Sequence, residues 1–395
     1  VVFVGGGLGL QRGGLTKAFL GRVRLFAQAG WQVHLALTTV DPQIDENVRV
    51  MVDDGRLPES VTVHLYARDR GGPRRRRVLG MLGMRTVGTV PDWLDRLATT
   101  EGALVFADAP ETYELLAQMR NPRVARVYAV HLCHLAAEAM RLGSPQEIAD
   151  GPLTRRWAAL PDTTLRAADR IVVLTAAQQD DFRRRWGTDL PVEVIPHAAP
   201  ALDALPDVPR DPRLVVGLGR LGLHKRWDEA IRVMARVIEE VPDARLVIHG
   251  IGDELARLQS LAQELDLTGS VTFAGYTTTP YEVLAGAACT LSTTRREGMP
   301  LVLLEALSVG TPAVVYDVRY GPNEIVRDGI DGFVVPARDM GAAAAAVTLL
   351  LTDPDRRGRM SRAAREVTDR FSQQAHDAAW LRLGRDAYEQ RGTRS

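Results

Sequence analysis

Apolar runs of strand length alternate with amphipathic stretches of helix length along this chain, and the alternation runs through twice. Parallel strands need a crossover of a dozen or more residues between them, so the rhythm calls for two α/β domains with parallel sheets. The first series places strands at 1–4, 33–37, 61–65, 103–106, 126–130, 170–174 and 192–195. A second series restarts with 214–218, 245–248, 271–274, 289–292 and 313–316. Between them AAPALDALPDVPRDP carries Pro200, Pro206, Pro209 and Pro212 with little periodicity, the composition of a linker. The expected organisation is therefore a domain over 1–197, a linker over 198–212 and a second domain over 213–372. A terminal helical stretch, 373–395, is expected to pack back on the first domain.

Bulk properties narrow the classes. With 395 residues and 46% hydrophobic content, the chain can bury two cores of ordinary size. Lys plus Arg and Asp plus Glu both number 49, so no global field argues for nucleic acid. Cys133 and Cys289 lie far apart with no ligand-like spacing, which sets aside a disulfide framework and favours a reducing compartment. No apolar stretch reaches the ~18 residues of a membrane span. A cytoplasmic location is the expectation.

Four side chains of the second half fit one ligand. Arg220 and Lys225 in LGRLGLHKR can neutralise a diphosphate, and Glu297 in REGMPLVLLEA can accept hydrogen bonds from sugar hydroxyls. Glu305, eight positions on, can take the paired hydroxyls of a ribose. With Pro300 read as the first residue of a helix, Glu297 lies just before it and Glu305 in its second turn. The two carboxylates are thereby separated and cannot form a close acid/base pair. The amides of Met299, Leu301 and Val302 would then point out of the helix N-terminus and seat a pyrophosphate. A nucleotide sugar satisfies all of these groups.

The glycine-rich opening GGGLGLQRGGLTKAFL does not follow the dinucleotide pattern. Taking Gly5 and Gly7 as the first pair puts Leu10 at the third glycine position, and taking Gly7 and Gly9 puts Arg12 there. What remains is Gly13-Gly14 just before a helix, which suits either a tight turn or close approach to a donor phosphate or sugar.

Several segments, in this order, are specific together although loose singly: RGGLTKA, ADRIVVLTAAQQDDF, VIPHA, GRLGLHK, IHGIGDE, FAGY, EGMPLVLLEA and DGIDGFVVP. They span nearly the whole chain, which resembles a retaining glycosyltransferase of the GT-B fold, family 4. The resemblance implies two Rossmann-like domains facing each other across a cleft. Within the family, VYDVRYGPNEIVRDGIDGF is similar to the branch that glycosylates teichoic-acid polymers or serine-rich surface proteins.

The resemblance also implies roles. Arg220 and Lys225 match the diphosphate-binding pair, where fixed cations stabilise charge on the departing phosphate. Glu305 matches the ribose carboxylate, and Glu297 the carboxylate beside the transferred sugar, without the partner a nucleophile of a retaining hydrolase would need. A front-face reaction is implied, with the leaving phosphate helping to deprotonate the acceptor. In VYAVHLCHLA the resemblance favours His131 at the donor sugar over His134; both remain open from the residues alone. Gly250 and Gly252 suit close backbone approach to the nucleotide, and Tyr276 stands where the base binds. Tyr320, Gly321 and Pro322 suit either a turn or a ligand contact.

No cofactor or metal is expected. His131, Cys133 and His134 are too crowded for a tetrahedral zinc shell, and Asp353-Pro354-Asp355 reads as a turn between helices. Between His64 and Arg85 lie seven arginines, Arg68, Arg70, Arg74 to Arg77 and Arg85, against Asp69 alone. Such a segment suits a solvated loop, a polyanionic acceptor or contact with a membrane's inner face. It is also shorter than the β-rich insertion that teichoic-acid enzymes of this type carry there, which leaves acceptor and oligomeric arrangement open. The expected function is transfer of a hexose or N-acetylhexosamine from a UDP-sugar to a hydroxyl acceptor, a cell-wall polyol-phosphate polymer or a protein. A nucleotide-sugar epimerase lacks support for want of an acid/base pair, and a non-catalytic partner subunit would tend to have lost the ligand set kept here.

Overall fold

The computed structural model describes residues 1–5, 14–37, 44–65, 102–108, 110–119, 121–131 and 162–392. The chain divides into two units, Val1–Ile195 with Asp377–Ser395, and Pro196–His376.

The first unit holds a seven-stranded sheet: β1 (Val2–Gly5), β2 (His34–Leu37), β3 (Thr62–Leu65), β4 (Ala103–Ala107), β5 (Val124–Val130), β6 (Arg170–Val173) and β7 (Val192–Val194). All neighbours are parallel, in the order β3-β2-β1-β4-β5-β6-β7. The apolar runs are continuous because both faces are covered. Side chains alternate between faces, so Val2 and Val4 join one core with Val105 and Tyr128, while Phe3 joins the other with Leu35, Leu104 and Phe106. The Phe3 and Phe106 rings stack at 4.8 Å, with Phe26 tilted edgewise against both. The terminal helix Gln373–Gly392 contributes Trp380, Leu383 and Ala387 to this second core.

The second unit repeats the plan with β8 (Asp211–Leu218), β9 (Arg245–His249), β10 (Val271–Gly275), β11 (Ala287–Ser292), β12 (Ala313–Asp317) and β13 (Gly332–Pro336). Their order is β10-β9-β8-β11-β12-β13, again all parallel. The helix Trp227–Glu240 buries Trp227, Ala230, Ile231, Val233, Met234 and Val237, the i, i+3, i+4, i+7 stripe of a sheet-covering helix.

Three details differ from the sequence reading. Asp211 and Pro212, placed in the linker over 198–212, begin β8, where Asp211 pairs with Ala287. β13 was not expected, because GFVVP offers only three apolar residues between a glycine and a proline. Asp353 caps a helix: its Oδ1 accepts from Arg356 N at 2.8 Å and Pro354 takes the first turn of Pro354–Ala364.

In both sheets the chain reverses direction of growth after the third strand, so the first and fourth strands become neighbours. These are β1 and β4 in the first unit, β8 and β11 in the second. Loops leaving such a pair diverge at the carboxyl ends of the strands and open the crevice where α/β folds bind ligands.

Candidate functional site

Lys225 and Glu297 meet at the β8/β11 reversal of the second unit. Lys225 ends a short 3₁₀ turn, Leu223–Lys225, after β8, and Glu297 ends the loop after β11. Three contacts join the loops. Thr293 Oγ1 donates to Arg226 O at 2.8 Å, Arg295 N donates to His224 O at 2.9 Å, and Thr294 Oγ1 lies 3.3 Å from His224 O. Arg226 turns the chain into the next helix through a left-handed residue, φ 53°. The outcome is a charge-assisted hydrogen bond of 2.6 Å from Lys225 Nζ to Glu297 Oε1, with the side chains 16% and 15% exposed. Thr294 Oγ1 stands 3.1 Å from the same carboxylate oxygen. Thr294 was absent from the sequence reading; the Thr three positions before a functional Glu was its only signal.

Arg220 is placed apart from this pair. Its guanidinium is 73% exposed and its nearest carboxylate is Asp253, 3.9 Å away, while its carbonyl accepts from Trp227 Nε1 at 3.0 Å. The backbone is therefore pinned and the cation points into solvent, where a long side chain can swing to an anion.

Gly250 and Gly252 are also required by packing within the unit. A Cβ on Gly250 would lie 1.9 Å from Gly219 O, and one on Gly252 would lie 2.3 Å from Leu221 O. The loop after β9 is pressed onto the loop after β8, with Gly219 N bonded to His249 O and Leu221 N to Ile251 O, both at 2.9 Å. These glycines fix the shape of the Arg220 loop; neighbouring backbone fills the space beside them.

The helix after Glu297 is Leu301–Ser308, starting one position later than expected, with Pro300 as an extended N-cap, φ −73° and ψ 112°, and not as its first residue. Glu305 remains in the second turn. Among the described residues the Leu301 and Val302 amides have no backbone acceptor, the state of a helix's first donors. Met299 is buried, its Sδ 3.3 Å from His197 N. Gly321, φ 87°, sits where a Cβ would be 2.7 Å from Gly298 O. With Tyr320 and Pro322 buried beside it, this turn buttresses the EGMP loop from behind. Tyr276, after β10, is 54% exposed.

The first unit places His131 directly after β5, buried, with Nε2 3.0 Å from Arg22 Nη1. Arg22, on the helix Gly14–Gln28, also binds Asp108, the residue after β4, and stacks over the Trp380 ring at 4.7 Å. Burial alone would raise the Asp108 carboxyl, but the Arg22 guanidinium beside it favours the charged form, and the group lies below the usual carboxylate range. Neither Arg22 nor Asp108 was singled out from the sequence. Gly14 opens the Gly14–Gln28 helix, whereas Gly13, Cys133, His134 and the arginines of 68–85 lie outside the described residues. Among the described residues no group of three or more His, Cys, Asp or Glu could hold a metal ion, and no helix is long and apolar enough to cross a membrane.

Two Rossmann-like units with parallel sheets, one carrying a lysine, a glutamate and a helix N-terminus at its strand reversal, define the GT-B fold. Residues 203–367 match the model of the family described as glycosyl transferases group 1. The chain is 28% identical over 214 residues to the poly(glycerol-phosphate) alpha-glucosyltransferase of Bacillus subtilis, covering 54% of this chain and 32% of that one. It is 34% identical over 227 residues to an exopolysaccharide phosphotransferase of Streptomyces coelicolor, covering 55% and 23%. The chain thus spans a third or less of the length of these two relatives. In structure it resembles Staphylococcus aureus TarM, solved as a variant with Fondaparinux, α-GlcNAc-glycerol and UDP. The TM-score is 0.80 at 14% identity over 97% of this chain and 99% of that one, a likeness of fold.

Proposed function

We propose that the chain is a retaining glycosyltransferase that moves a hexose or N-acetylhexosamine from a UDP-sugar to a hydroxyl acceptor. The observation that carries this reading is the Lys225–Glu297 pair beside the unpaired Leu301 and Val302 amides at a strand reversal. A diphosphate seated on those amides would draw Lys225 from Glu297, free the carboxylate for sugar hydroxyls, and gather Arg220 from solvent. Glu305, one turn into the helix, is assigned to the ribose, Tyr276 to the base, and His131 to the transferred sugar.

In the reaction the acceptor oxygen forms a bond to the anomeric carbon as the bond from that carbon to the phosphate oxygen breaks. The electron pair leaves on the diphosphate, which takes up the acceptor's proton. Glu297 steadies positive charge at the anomeric carbon, and Lys225 and Arg220 steady negative charge on the leaving group. We assign no metal to this chemistry, because the two cations and the helix amides supply the charge a metal would. The B. subtilis relative, named for a polyol-phosphate acceptor, favours an anionic cell-wall polymer as substrate, encountered on the cytoplasmic side of the membrane.

Acceptor-dependent UDP release from a panel of UDP-sugars, with poly(glycerol-phosphate) and serine-rich peptide as acceptors, tests the reading. Release with one donor and the polymer supports it; release with peptide alone moves the acceptor to protein. No release with either, or interconversion of the sugar nucleotide without UDP, overturns it.

A further inference from the structure

The buried Arg22–Asp108–His131 cluster has a feature that the assignment of His131 does not need but that decides what its ring can do. A guanidinium has five N–H donors and no acceptor, so a 3.0 Å contact between Arg22 Nη1 and His131 Nε2 uses the lone pair of that nitrogen. Nε2 therefore carries no proton. The Asp108 carboxylate has its Oδ2 engaged by Arg22, and that oxygen lies 3.7 Å from His131 Nε2, beyond a hydrogen bond. A proton on Nε2 would set donor against donor across the 3.0 Å contact with Arg22, so the guanidinium disfavours it. Three elements hold it in place: Arg22 comes from the Gly14–Gln28 helix, Asp108 from the end of β4 and His131 from the end of β5. Trp380 covers the guanidinium from the terminal helix.

We propose that Arg22, oriented by Asp108, is a positioning residue that locks His131 as the neutral tautomer with its proton on Nδ1, making the ring a hydrogen-bond donor and not a proton acceptor. The functional consequence rests on the assignment of His131 to the transferred sugar given above. There the ring offers an N–H to a sugar oxygen and takes no proton from the acceptor hydroxyl, which leaves that proton to the departing diphosphate. Arg22 and Asp108 touch neither substrate in this scheme and act only through the ring.

The tautomer is readable without substrate. In protein labelled with ¹⁵N-histidine, long-range ¹H–¹⁵N correlation at neutral pH reports which ring nitrogen is protonated, and comparison with His131→Gln identifies the ring among the eight histidines. The expected result is a protonated-type shift at Nδ1 and an unprotonated-type shift at Nε2. A proton on Nε2, alone or on a doubly protonated ring, overturns the proposal. Arg22→Lys keeps the buried charge while losing the planar fork, so it is the variant to follow alongside the wild type. It should give a mixed tautomer signal and lower kcat about 10- to 100-fold, the scale of one lost charge-assisted hydrogen bond, with donor KM nearly unchanged. An Arg22→Lys protein with the wild-type tautomer and wild-type kcat contradicts the positioning role. Because the spectrum needs no turnover, its outcome stands apart from UDP release: the tautomer can be right with the reaction wrongly assigned, or the reverse.

Discussion

Lys225 and Glu297, 72 positions apart in sequence, share a 2.6 Å hydrogen bond at the point where the second sheet reverses its order. Each is the other's partner before any ligand arrives, so neither largely buried charge is left bare. In the proposed reaction a diphosphate would replace one half of the pair and a sugar the other. Lys225→Ala should therefore lower kcat by about 10²- to 10³-fold, as removal of a preorganised transition-state donor does. Glu297→Ala should lower it similarly. Both variants should retain the far-UV circular dichroism of the wild type, since the pair sits at a loop junction outside either core. Near-normal UDP release from either would contradict the assigned roles.

Thr294 supplies a milder perturbation of the same centre. Its hydroxyl bridges the Glu297 carboxylate and the loop carrying Lys225. Thr294→Val removes the hydroxyl and keeps the shape, and should cost about 1 kcal/mol in transition-state stabilisation, roughly a fivefold fall in kcat/KM. Steady-state kinetics with the preferred donor measures it.

Gly250 and Gly252 are expected to act on the loop and not through a ligand. Alanine at either would drive a Cβ into the carbonyl of Gly219 or Leu221, backbone that cannot yield as a flexible side chain would. Thermal unfolding should show losses of about 1–3 kcal/mol, the range of overpacking. If instead Gly250→Ala leaves the melting temperature alone and only weakens UDP binding, the close-approach explanation regains its place.

A pair of touching histidines makes the first sheet sensitive to acid. His34 on β2 and His64 on β3 touch at 3.1 Å between Nδ1 and Nε2. Burial lowers both below their ordinary value of 6.5, and at His34 the neighbouring His64 lowers it further. The folded chain favours the neutral rings, so the unfolded chain binds more protons in the window just below 6.5. Their contribution is present above that value and is lost as pH falls through the lower folded values. The melting temperature of the first unit should drop in that window, and His64→Leu should flatten the drop. An unchanged slope in the variant would place the acid sensitivity elsewhere.

Trp380 ties the terminal helix to the first unit through the Arg22 guanidinium at 4.7 Å and the Phe106 ring at 5.9 Å. Trp380→Ala should destabilise that unit by about 3–5 kcal/mol, the usual cost of emptying a buried aromatic site. Denaturant unfolding of the variant measures the loss.

Much of this plan was legible in the residues for a physical reason. Strands covered on both faces are continuous apolar runs, and twelve of them stood out; β13 did not, because FVV between Gly332 and Pro336 is too short to distinguish from a turn. Arg220, Lys225, Glu297 and Glu305 were visible through residue type and spacing. Their relation was not, because it depends on β11 crossing over to lie beside β8, which no local pattern encodes. For the same reason Arg22 and Asp108 passed unnoticed. They meet His131 through the parallel pairing of β4 with β5 and the helix after β1, with Arg22 lying 86 residues from Asp108 and 109 from His131 along the chain. Gly250 and Gly252 stood out by residue type, whereas the pressing of loop against loop that surrounds them depends on the fold.

The central claim is that the second unit holds a diphosphate between two cations and a helix N-terminus, and a crystal of the protein soaked with UDP tests it most directly. The account predicts phosphate oxygens within hydrogen-bond reach of Lys225 Nζ and the Leu301 and Val302 amides, Arg220 swung in from solvent, and Glu305 on the ribose. UDP bound elsewhere, or bound there with Lys225 still paired to Glu297 and Arg220 still in solvent, would contradict it.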